Sequence, residues 1–200
     1  MTPPGESQIE LVINGQTVKA NPGMTVLDAA RAAGIYIPTL CHHPYLVPSG
    51  SCRLCAVEVT GMRGLPGACT LPVAPGMVVR TETPRVQEFR RSTLENIIRD
   101  HPRDCLTCPE NLRCELQKVA AYMGVYETSL HPTRKQVPID DSNPFYDRDL
   151  AKCILCGRCV RACDEIRGVH AIDYVGRSYE ARIGTAMDRP VITSNCESCG

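Results

Sequence analysis

A dense cysteine run near the end of the chain, CILCGRCVRAC, carries the most specific chemical pattern in the sequence. Its cysteines are separated by two, two and three residues, which is the spacing of bacterial ferredoxins that bind [4Fe–4S] clusters. In two-cluster ferredoxins the fourth cysteine of each run ligates the other cluster. We therefore predict one cluster on the first three cysteines, Cys153, Cys156 and Cys159. We predict another on the fourth cysteine and a later pair, Cys163, Cys196 and Cys199. The alternative is that Cys163 completes the first cluster and that Cys196 and Cys199 have an unrelated role.

A second set of cysteines lies in the first 70 residues, at Cys41, Cys52, Cys55 and Cys69. The gaps between them are ten, two and 13 residues. Four thiolates with a long first gap, a close pair and a distant fourth ligand suit a [2Fe–2S] cluster, as a variant of the plant-type spacing. The alternative is a structural zinc ion on the same four cysteines.

A third set combines a histidine with three cysteines in HPRDCLTCPENLRC: His101, Cys105, Cys108 and Cys114. Three thiolates leave a [4Fe–4S] cluster one ligand short, and a neutral imidazole could fill that position. Because imidazole adds no negative charge, such a cluster should have a raised reduction potential. The alternative is that His101 only ends a helix beside Pro102.

Counting ligands leads to an expectation about the chain itself. Four clusters of four ligands each require 16 ligands, whereas the 13 cysteines and His101 supply 14. A second ferredoxin run beginning at Cys196 would supply the other two. We therefore expect the sequence to be a fragment that stops inside that run, with its last two clusters incomplete.

Several basic side chains lie beside or between the predicted ligands. His42 and His43 follow Cys41, but four cysteines already serve that cluster, so we interpret both histidines as surface residues or as partners of ligands. Four arginines lie between ligands and either offset cluster charge or are simply solvated: Arg53, Arg113, Arg158 and Arg161.

Composition excludes some functions. Lys plus Arg and Asp plus Glu both number 22, so the chain lacks the basic charge expected of a nucleic-acid-binding protein. The N-terminus has no secretory pattern, and no apolar run approaches the ~18 residues that span a membrane. These features predict a cytoplasmic protein with reduced thiols and no transmembrane segment. There is neither a GxGxxG motif nor a P-loop lysine.

The N-terminal cysteines follow a small set of predicted elements. Residues 9–20 predict a β-hairpin around Asn14-Gly15, a strong turn signal. Thr25 and Asp28 predict a capped helix that stops at Gly34. Strands are expected over residues 56–60 and 77–81. We predict an α+β [2Fe–2S] domain over residues 1–80.

The remaining elements are mostly helical. A helix starting at Pro84 and ending at His101-Pro102 should pack one apolar face, formed by Val86, Phe89, Leu94, Ile97 and Ile98. Another helix is expected from Leu112 to Met123, stopping at Gly124. We assign residues 81–125 to a helical segment for the histidine-ligated cluster, 126–149 to a linker and 150–200 to a truncated ferredoxin-type domain.

The order of these motifs resembles the N-terminal part of the complex I large iron–sulfur subunit superfamily, over essentially the whole chain. The stretch DDSNPFYDRDLAKCILCGRCVRACDEIRGVHAIDYVGR looks most like the alpha subunit of NAD-linked molybdenum or tungsten formate dehydrogenase. Subunits of NAD(P)-linked hydrogenases also belong to this superfamily. Cys163 favours these two over the complex I subunit, which generally lacks that cysteine.

The resemblance implies a β-grasp fold for the N-terminal domain, a truncated 2[4Fe–4S] ferredoxin fold at the end, and an electron-transfer function. It also implies a flavin- and NAD-binding diaphorase-type subunit and a molybdopterin or hydrogenase catalytic domain as partners. Peripheral attachment to the inner face of the membrane would then occur through partners. The rival hypothesis of another class is a non-catalytic zinc-binding interaction module.

Overall fold

The computed structural model describes residues 8–131 and 138–199. The chain divides into two compact units. One consists of the residues up to 42 together with 48–94, and the other consists of 43–47 together with the residues from 95 onward.

The first unit begins with the predicted hairpin, which is confirmed. Strand β1 (Ile9–Ile13) pairs antiparallel with β2 (Gln16–Ala20). Asn14 and Gly15 both have positive φ angles, 51° and 83°, as a two-residue type I′ turn requires.

The hairpin extends into a four-stranded mixed sheet. Strand β3 (Glu58–Val59) pairs antiparallel with β4 (Val78–Arg80), and β4 runs parallel to β1. The strand order is β2-β1-β4-β3. Both strands of the second pair lie where the sequence predicted them, although they are shorter.

Helix α1 (Val26–Ala32) is held at its start by the predicted capping box. The Thr25 hydroxyl accepts a bond from the Asp28 N–H, and the Asp28 carboxylate accepts one from the Thr25 N–H. Gly34 follows the helix with a φ of 74°, a left-handed conformation that glycine adopts without strain. The buried side of α1 packs in one hydrophobic core with the sheet, and Cys55 and Cys69 belong to that core.

Helix α2 (Pro84–Arg99) confirms the predicted second helix but not all of its predicted apolar face. Val86 and Leu94 are buried. Phe89 was predicted to be in the core but is exposed, and Arg90 is buried beside it. The periodicity was misleading because the α2 surface at this point faces a polar group of the chain, described below.

In the second unit, a 3₁₀ turn (Cys105–Thr107) precedes helix α3 (Glu115–Met123). The predicted end at Gly124 is confirmed, with a left-handed C-cap. The predicted start at Leu112 is wrong, because Leu112 has a φ of 67°, which excludes it from a right-handed helix.

The ferredoxin-like part of the second unit has short elements. Helix α4 (Arg158–Arg161) continues into a π-helical turn (Ala162–Ile166), and β5 (Asp173–Val175) pairs antiparallel with β6 (Arg182–Gly184). The rest consists of loops and 3₁₀ turns over residues 150–152, 178–180, 186–188 and 191–193. The predicted α+β class is confirmed. Within the described ranges, no helix is both long enough and apolar enough to cross a membrane.

Candidate metal centres

The four N-terminal cysteines are brought together at the edge of the first unit's core. Cys41, Cys55 and Cys69 are about 1% exposed, and Cys52 is half-buried. Their thiols form two hydrogen-bonded pairs, Cys41 with Cys52 and Cys55 with Cys69. The sequence therefore folds so that four sulfur atoms converge from one loop and one later segment.

The pairing changes the acidity of the thiols. The hydrogen bond from Cys52 lowers the pKa of Cys41 to about 5, and the bond from Cys69 lowers the pKa of Cys55 to about 7. The pKa of each donor thiol, Cys52 and Cys69, is raised in return. Because a cluster binds thiolates, both shared protons must leave when all four sulfurs ligate iron.

The loop that presents these sulfurs is shaped by backbone contacts. The Leu40 N–H donates to Cys52 Sγ and the Cys52 N–H donates to Cys41 Sγ, both at 3.4 Å. A Cβ at Gly67 would lie 3.4 Å from Cys55 Sγ, in van der Waals contact with it, so this backbone packs directly against the sulfur. Amide hydrogen bonds to ligating sulfurs are one way that proteins set cluster potentials.

Arg90 is a neighbour of this site that the sequence analysis missed. Its guanidinium is 2% exposed and donates from Nε and Nη2 to the Ala56 carbonyl, at 3.2 and 2.8 Å. Nη1 also donates to Glu82 at 3.2 Å. Ala56 directly follows Cys55, so a buried positive charge fixes the backbone beside a predicted ligand.

His42 is buried next to Cys41, and its Nδ1 lies 3.1 Å from Arg31 Nη1. Since a guanidinium can only donate, Nδ1 is the acceptor in this bond. The burial of His42 shows that it is not a surface residue, and its described partner is Arg31.

The His101 set lines a single cavity of about 480 Å³ in the second unit. All four predicted ligands border it, His101, Cys105, Cys108 and Cys114. Apolar side chains that include Ile98, Leu116 and Val125 form other parts of the wall. The structure thus places one nitrogen and three sulfur donors around one apolar-walled space.

The tautomer of His101 suits ligation. Its Nδ1 lies 2.8 Å from the Pro102 carbonyl, which can only accept, so Nδ1 carries the proton. The ring lone pair is therefore on Nε2. Metal-ligating histidines typically hold the other ring N–H on a carbonyl or carboxylate in this way.

A strained turn delivers the last ligand of this set. Leu112 has a positive φ, and its N–H is bound by the side chains of Asn111 and Gln117 at 3.0 and 3.2 Å. This turn places Cys114 at the N-cap of α3. Non-glycine residues in the left-handed region are frequent at functional sites, where surrounding bonds hold them.

In the ferredoxin-like region, the first three cysteines of the run lie close together. Burial, followed by the charges of Cys156 and Cys153, raises the pKa of Cys159. The Leu155 N–H donates to Cys153 Sγ at 3.4 Å. Gly157 has a φ of 70°, a left-handed conformation that favours glycine, and a Cβ there would displace the exposed Tyr174 side chain.

Cys163 lies in the π-helical turn, where the Ala171 N–H donates to its sulfur at 3.2 Å. An ion pair joins Arg167 to Glu197, which lies between Cys196 and Cys199. The bond with Glu197, and then the charge of Glu197 and of Cys199, raise the pKa of Arg167. These contacts join the segment that follows Cys163 to the loop between Cys196 and Cys199.

Two further side chains that were not predicted lie at the C-terminal pair. The Tyr146 hydroxyl is 3.1 Å from Cys196 Sγ, and Asn143 Nδ2 donates to Ser198 Oγ at 2.8 Å. Burial and the bond with Cys196 raise the pKa of Tyr146 to about 12. Both residues belong to a stretch that the sequence analysis called a linker, and sequence spacing gives no signal for them.

The four arginines between ligands bind protein groups. Two contact backbone oxygens: Arg53 donates to Leu65 at 3.0 Å and Arg161 donates to Val47 at 2.6 Å. The other two pair with carboxylates: Arg113 with Glu110 at 2.9 Å, and Arg158 with Glu115 at 2.6 Å.

Over residues 8–131 and 138–199, no group of three or more His, Cys, Asp or Glu side chains is arranged to hold a single metal ion.

Comparison with protein families gives three matches along the chain. A 2Fe-2S iron-sulfur cluster binding domain matches residues 6–84. The NADH-ubiquinone oxidoreductase-G iron-sulfur binding region matches residues 90–129. The ferredoxin-like domain of NADH-quinone oxidoreductase subunit 3 matches residues 143–197.

The crystal structure of an NAD⁺-reducing [NiFe]-hydrogenase in the H2-reduced state contains a similar chain, with a TM-score of 0.84 and 36% identity. The match covers 92% of this chain and 78% of that one. The chain belongs to the complex I large iron–sulfur subunit superfamily.

Curated relatives agree with this membership. The NADP-reducing hydrogenase subunit HndD of Solidesulfovibrio fructosivorans is 36% identical over 97% of this chain and 34% of its own length. The mitochondrial NADH dehydrogenase iron-sulfur protein 1 of Solanum tuberosum is 34% identical over 94% of this chain and 25% of its own length. The NADPH-Fe(3+) oxidoreductase subunit alpha of Geobacter sulfurreducens is 34% identical over 96% of this chain and 22% of its own length. The chain thus spans about a third or less of the length of these relatives.

The superfamily member is an iron–sulfur electron-transfer module of the kind found in NAD(P)-linked oxidoreductases. The predicted cofactors, [2Fe–2S] and [4Fe–4S] clusters, are confirmed by the matched domains. The predicted fold, a [2Fe–2S] domain followed by a ferredoxin-like [4Fe–4S] region, is also confirmed.

Proposed function

We propose that this chain relays electrons between a catalytic centre and a flavin- and NAD-binding partner, through clusters held in four donor sets. The observation that carries this proposal is the cavity that holds His101 together with Cys105, Cys108 and Cys114. The tautomer of His101 leaves Nε2 free to bind iron, and the three cysteines supply sulfur donors, so the cavity suits a [4Fe–4S] cluster. A relay needs such a site after the [2Fe–2S] site.

The proposed ligand sets are those of the sequence analysis. The [2Fe–2S] set consists of Cys41, Cys52, Cys55 and Cys69. The histidine-ligated set consists of His101, Cys105, Cys108 and Cys114. The ferredoxin-like sets consist of Cys153, Cys156 and Cys159, and of Cys163, Cys196 and Cys199. The proposed domain boundaries likewise stay at residues 1–80, 81–125, 126–149 and 150–200.

When bound, these clusters supply one-electron carriers. The protein's own contribution is to position the sulfurs, to donate amide hydrogen bonds to them and to exclude water from the first site. Amides of Leu40 and Cys52 act on the [2Fe–2S] set, and the amide of Ala171 acts on Cys163. Each such bond stabilises negative charge on sulfur and so favours the reduced cluster.

Within this class, we propose the N-terminal part of a formate dehydrogenase alpha subunit, supported by the stretch from Asp140 to Arg177 that resembles that family. Its catalytic partner would then be of the molybdopterin type, and the assembly would be cytoplasmic or peripheral to the inner membrane face. A relay subunit of an NAD(P)-linked hydrogenase is the second candidate, favoured by the relative HndD and by the hydrogenase structure.

One experiment separates these candidates. The complex that contains this chain is purified anaerobically from its native cells, oxidised, and exposed to formate, to hydrogen or to NADH while the cluster EPR signals are recorded. Reduction by formate supports the first candidate, and reduction by hydrogen supports the second. Reduction by NADH alone, with electrons passed to quinone, supports a complex I subunit. A colourless protein that contains zinc would refute the relay.

A further inference from the structure

The segment that precedes the ferredoxin-like run contacts the C-terminal cysteine pair through a tyrosine. The Tyr146 hydroxyl lies 3.1 Å from Cys196 Sγ, although the two residues are 50 positions apart in the sequence. A cysteine that binds iron is a thiolate and has no proton to give. In the loaded protein the phenol is therefore the donor of this bond and the sulfur is the acceptor.

Other contacts hold this tyrosine at the sulfur. Asn143 is 4% exposed, accepts from the Phe145 N–H at 2.9 Å and donates to Ser198 at 2.8 Å. The Ser198 N–H in turn donates to Cys196 Sγ at 3.4 Å. The bonds of Asn143 and Tyr146 thus join the loop around residues 143–146 to the loop that carries the predicted ligands.

A second anchor lies at the base of the same segment. The Asp140 carboxylate accepts from the Val191 N–H at 3.0 Å and contacts Arg148 at 3.5 Å. Backbone bonds in both directions pair Asp140 with Arg148. The Tyr146 hydroxyl is therefore part of a braced turn, and its approach to Cys196 does not depend on one side chain alone.

We propose that Tyr146 is a positioning residue that raises the reduction potential of the [4Fe–4S] cluster ligated by Cys196. Reduction adds negative charge to the cluster and its sulfurs, so a hydrogen bond to a sulfur stabilises the reduced form more than the oxidised form. This inference rests on the proposed ligand set that includes Cys163, Cys196 and Cys199.

The test uses the holoprotein with all its clusters, in an EPR-monitored redox titration. The signal of the relevant cluster is first assigned as the one that Cys199→Ser alters. Tyr146→Phe is expected to lower the potential of that cluster, making its reduced form about tenfold less favoured at a given potential. That change corresponds to about 59 mV for one electron. Tyr174→Phe is the matched control, because its hydroxyl lies 3.5 Å from the backbone oxygen of Leu155. It should leave this potential unchanged.

A second measurement keeps the inference testable if Tyr146→Phe loses the cluster. In the wild-type holoprotein exchanged into D2O, ENDOR of the assigned signal should show, besides the amide deuteron of Ser198, a second and more strongly coupled exchangeable deuteron, which the O–H···S bond supplies. An unchanged potential in Tyr146→Phe, or the lack of that deuteron, overturns the inference and leaves the relay intact. If Cys199→Ser alters no cluster signal, the ligand set itself is wrong and the inference falls with it.

Discussion

The two ends of this chain hold their predicted ligands in opposite ways. Around Cys41 to Cys69, three of four thiols are almost fully buried, and two of them belong to the hydrophobic core of a four-stranded sheet and helix. From Cys153 to Cys199, each of the six thiols is half-buried or exposed, and the elements span only a few residues each. A side-chain core encloses the first site, whereas few side chains are buried near the second set, so we expect the clusters to supply more of the folding free energy there.

The largest expected consequence concerns removal of the clusters. Anaerobic chelation of the holoprotein should leave the β1–β2 hairpin protected but should raise amide hydrogen exchange in residues 153–166 by roughly a hundredfold or more. The reason is that ligand binding supplies much of the folding free energy where no side-chain core does. Hydrogen-exchange mass spectrometry measures both regions in one sample. If both regions lost amide protection equally, the proposed difference between a side-chain core and a cluster-dependent core would be contradicted.

A single buried side chain should matter most in the first region. Arg90→Leu leaves the Ala56 carbonyl without the two donors of the guanidinium and removes the ion pair with Glu82. We expect a loss of about 2 kcal/mol in the free energy of unfolding, because an unsatisfied buried group costs about 1–3 kcal/mol. Chemical denaturation of the holoprotein measures this loss.

Arg85→Leu is the control for that substitution, since Arg85 is exposed on the same helix. Its effect should stay within about 0.5 kcal/mol. Equal effects of the two substitutions would show that the buried guanidinium does not brace the site.

In the second region, we expect stability to be sensitive to a side chain added at Gly157. Gly157→Ala should destabilise the holoprotein by about 1 kcal/mol more than Gly124→Ala. Both glycines have positive φ angles, but only at Gly157 would the new Cβ overlap the Tyr174 hydroxyl. Tyr174→Phe in the same chain should recover part of the extra loss, as measured by denaturation and by retained iron, because it removes the hydroxyl but leaves Cζ 3.2 Å from the new Cβ. No recovery would mean that the hydroxyl is not the obstacle.

The smallest structural change is His101→Cys, which should alter the reduction potential of the histidine-ligated cluster with little effect on the fold. A thiolate in place of a neutral imidazole adds negative charge, so the reduction potential of that cluster should fall, by roughly 100 mV or more. Potentiometry of the holoprotein measures this shift. An unchanged potential and spectrum would mean that His101 only ends the α2 region.

Much of the first region could be predicted because its signals are local. Asn14-Gly15 specifies a turn and Thr25 with Asp28 specifies a helix start, each within a few residues. The burial of Arg90 in place of Phe89 could not be predicted, because Arg90 is held by a carbonyl 34 residues away in the sequence.

In the second region, cysteine spacing predicts ligand sets but gives no signal for the polar contacts that surround them. The contact of Tyr146 with Cys196 joins residues 50 positions apart. The left-handed turn at Leu112, which delayed the start of α3, depends on the side chains of Asn111 and Gln117 and not on helical periodicity. Long-range polar contacts of this kind have no periodic signature in a single sequence.

The most direct test of the relay is an anaerobic EPR-monitored redox titration of the native protein, with serine variants of one cysteine from each donor set. We expect one [2Fe–2S] signal altered by Cys55→Ser and three [4Fe–4S] signals, each altered by a variant of a different set: Cys108→Ser, Cys156→Ser or Cys199→Ser. Two sets whose variants alter the same signal, or zinc in place of reducible iron, would contradict the relay.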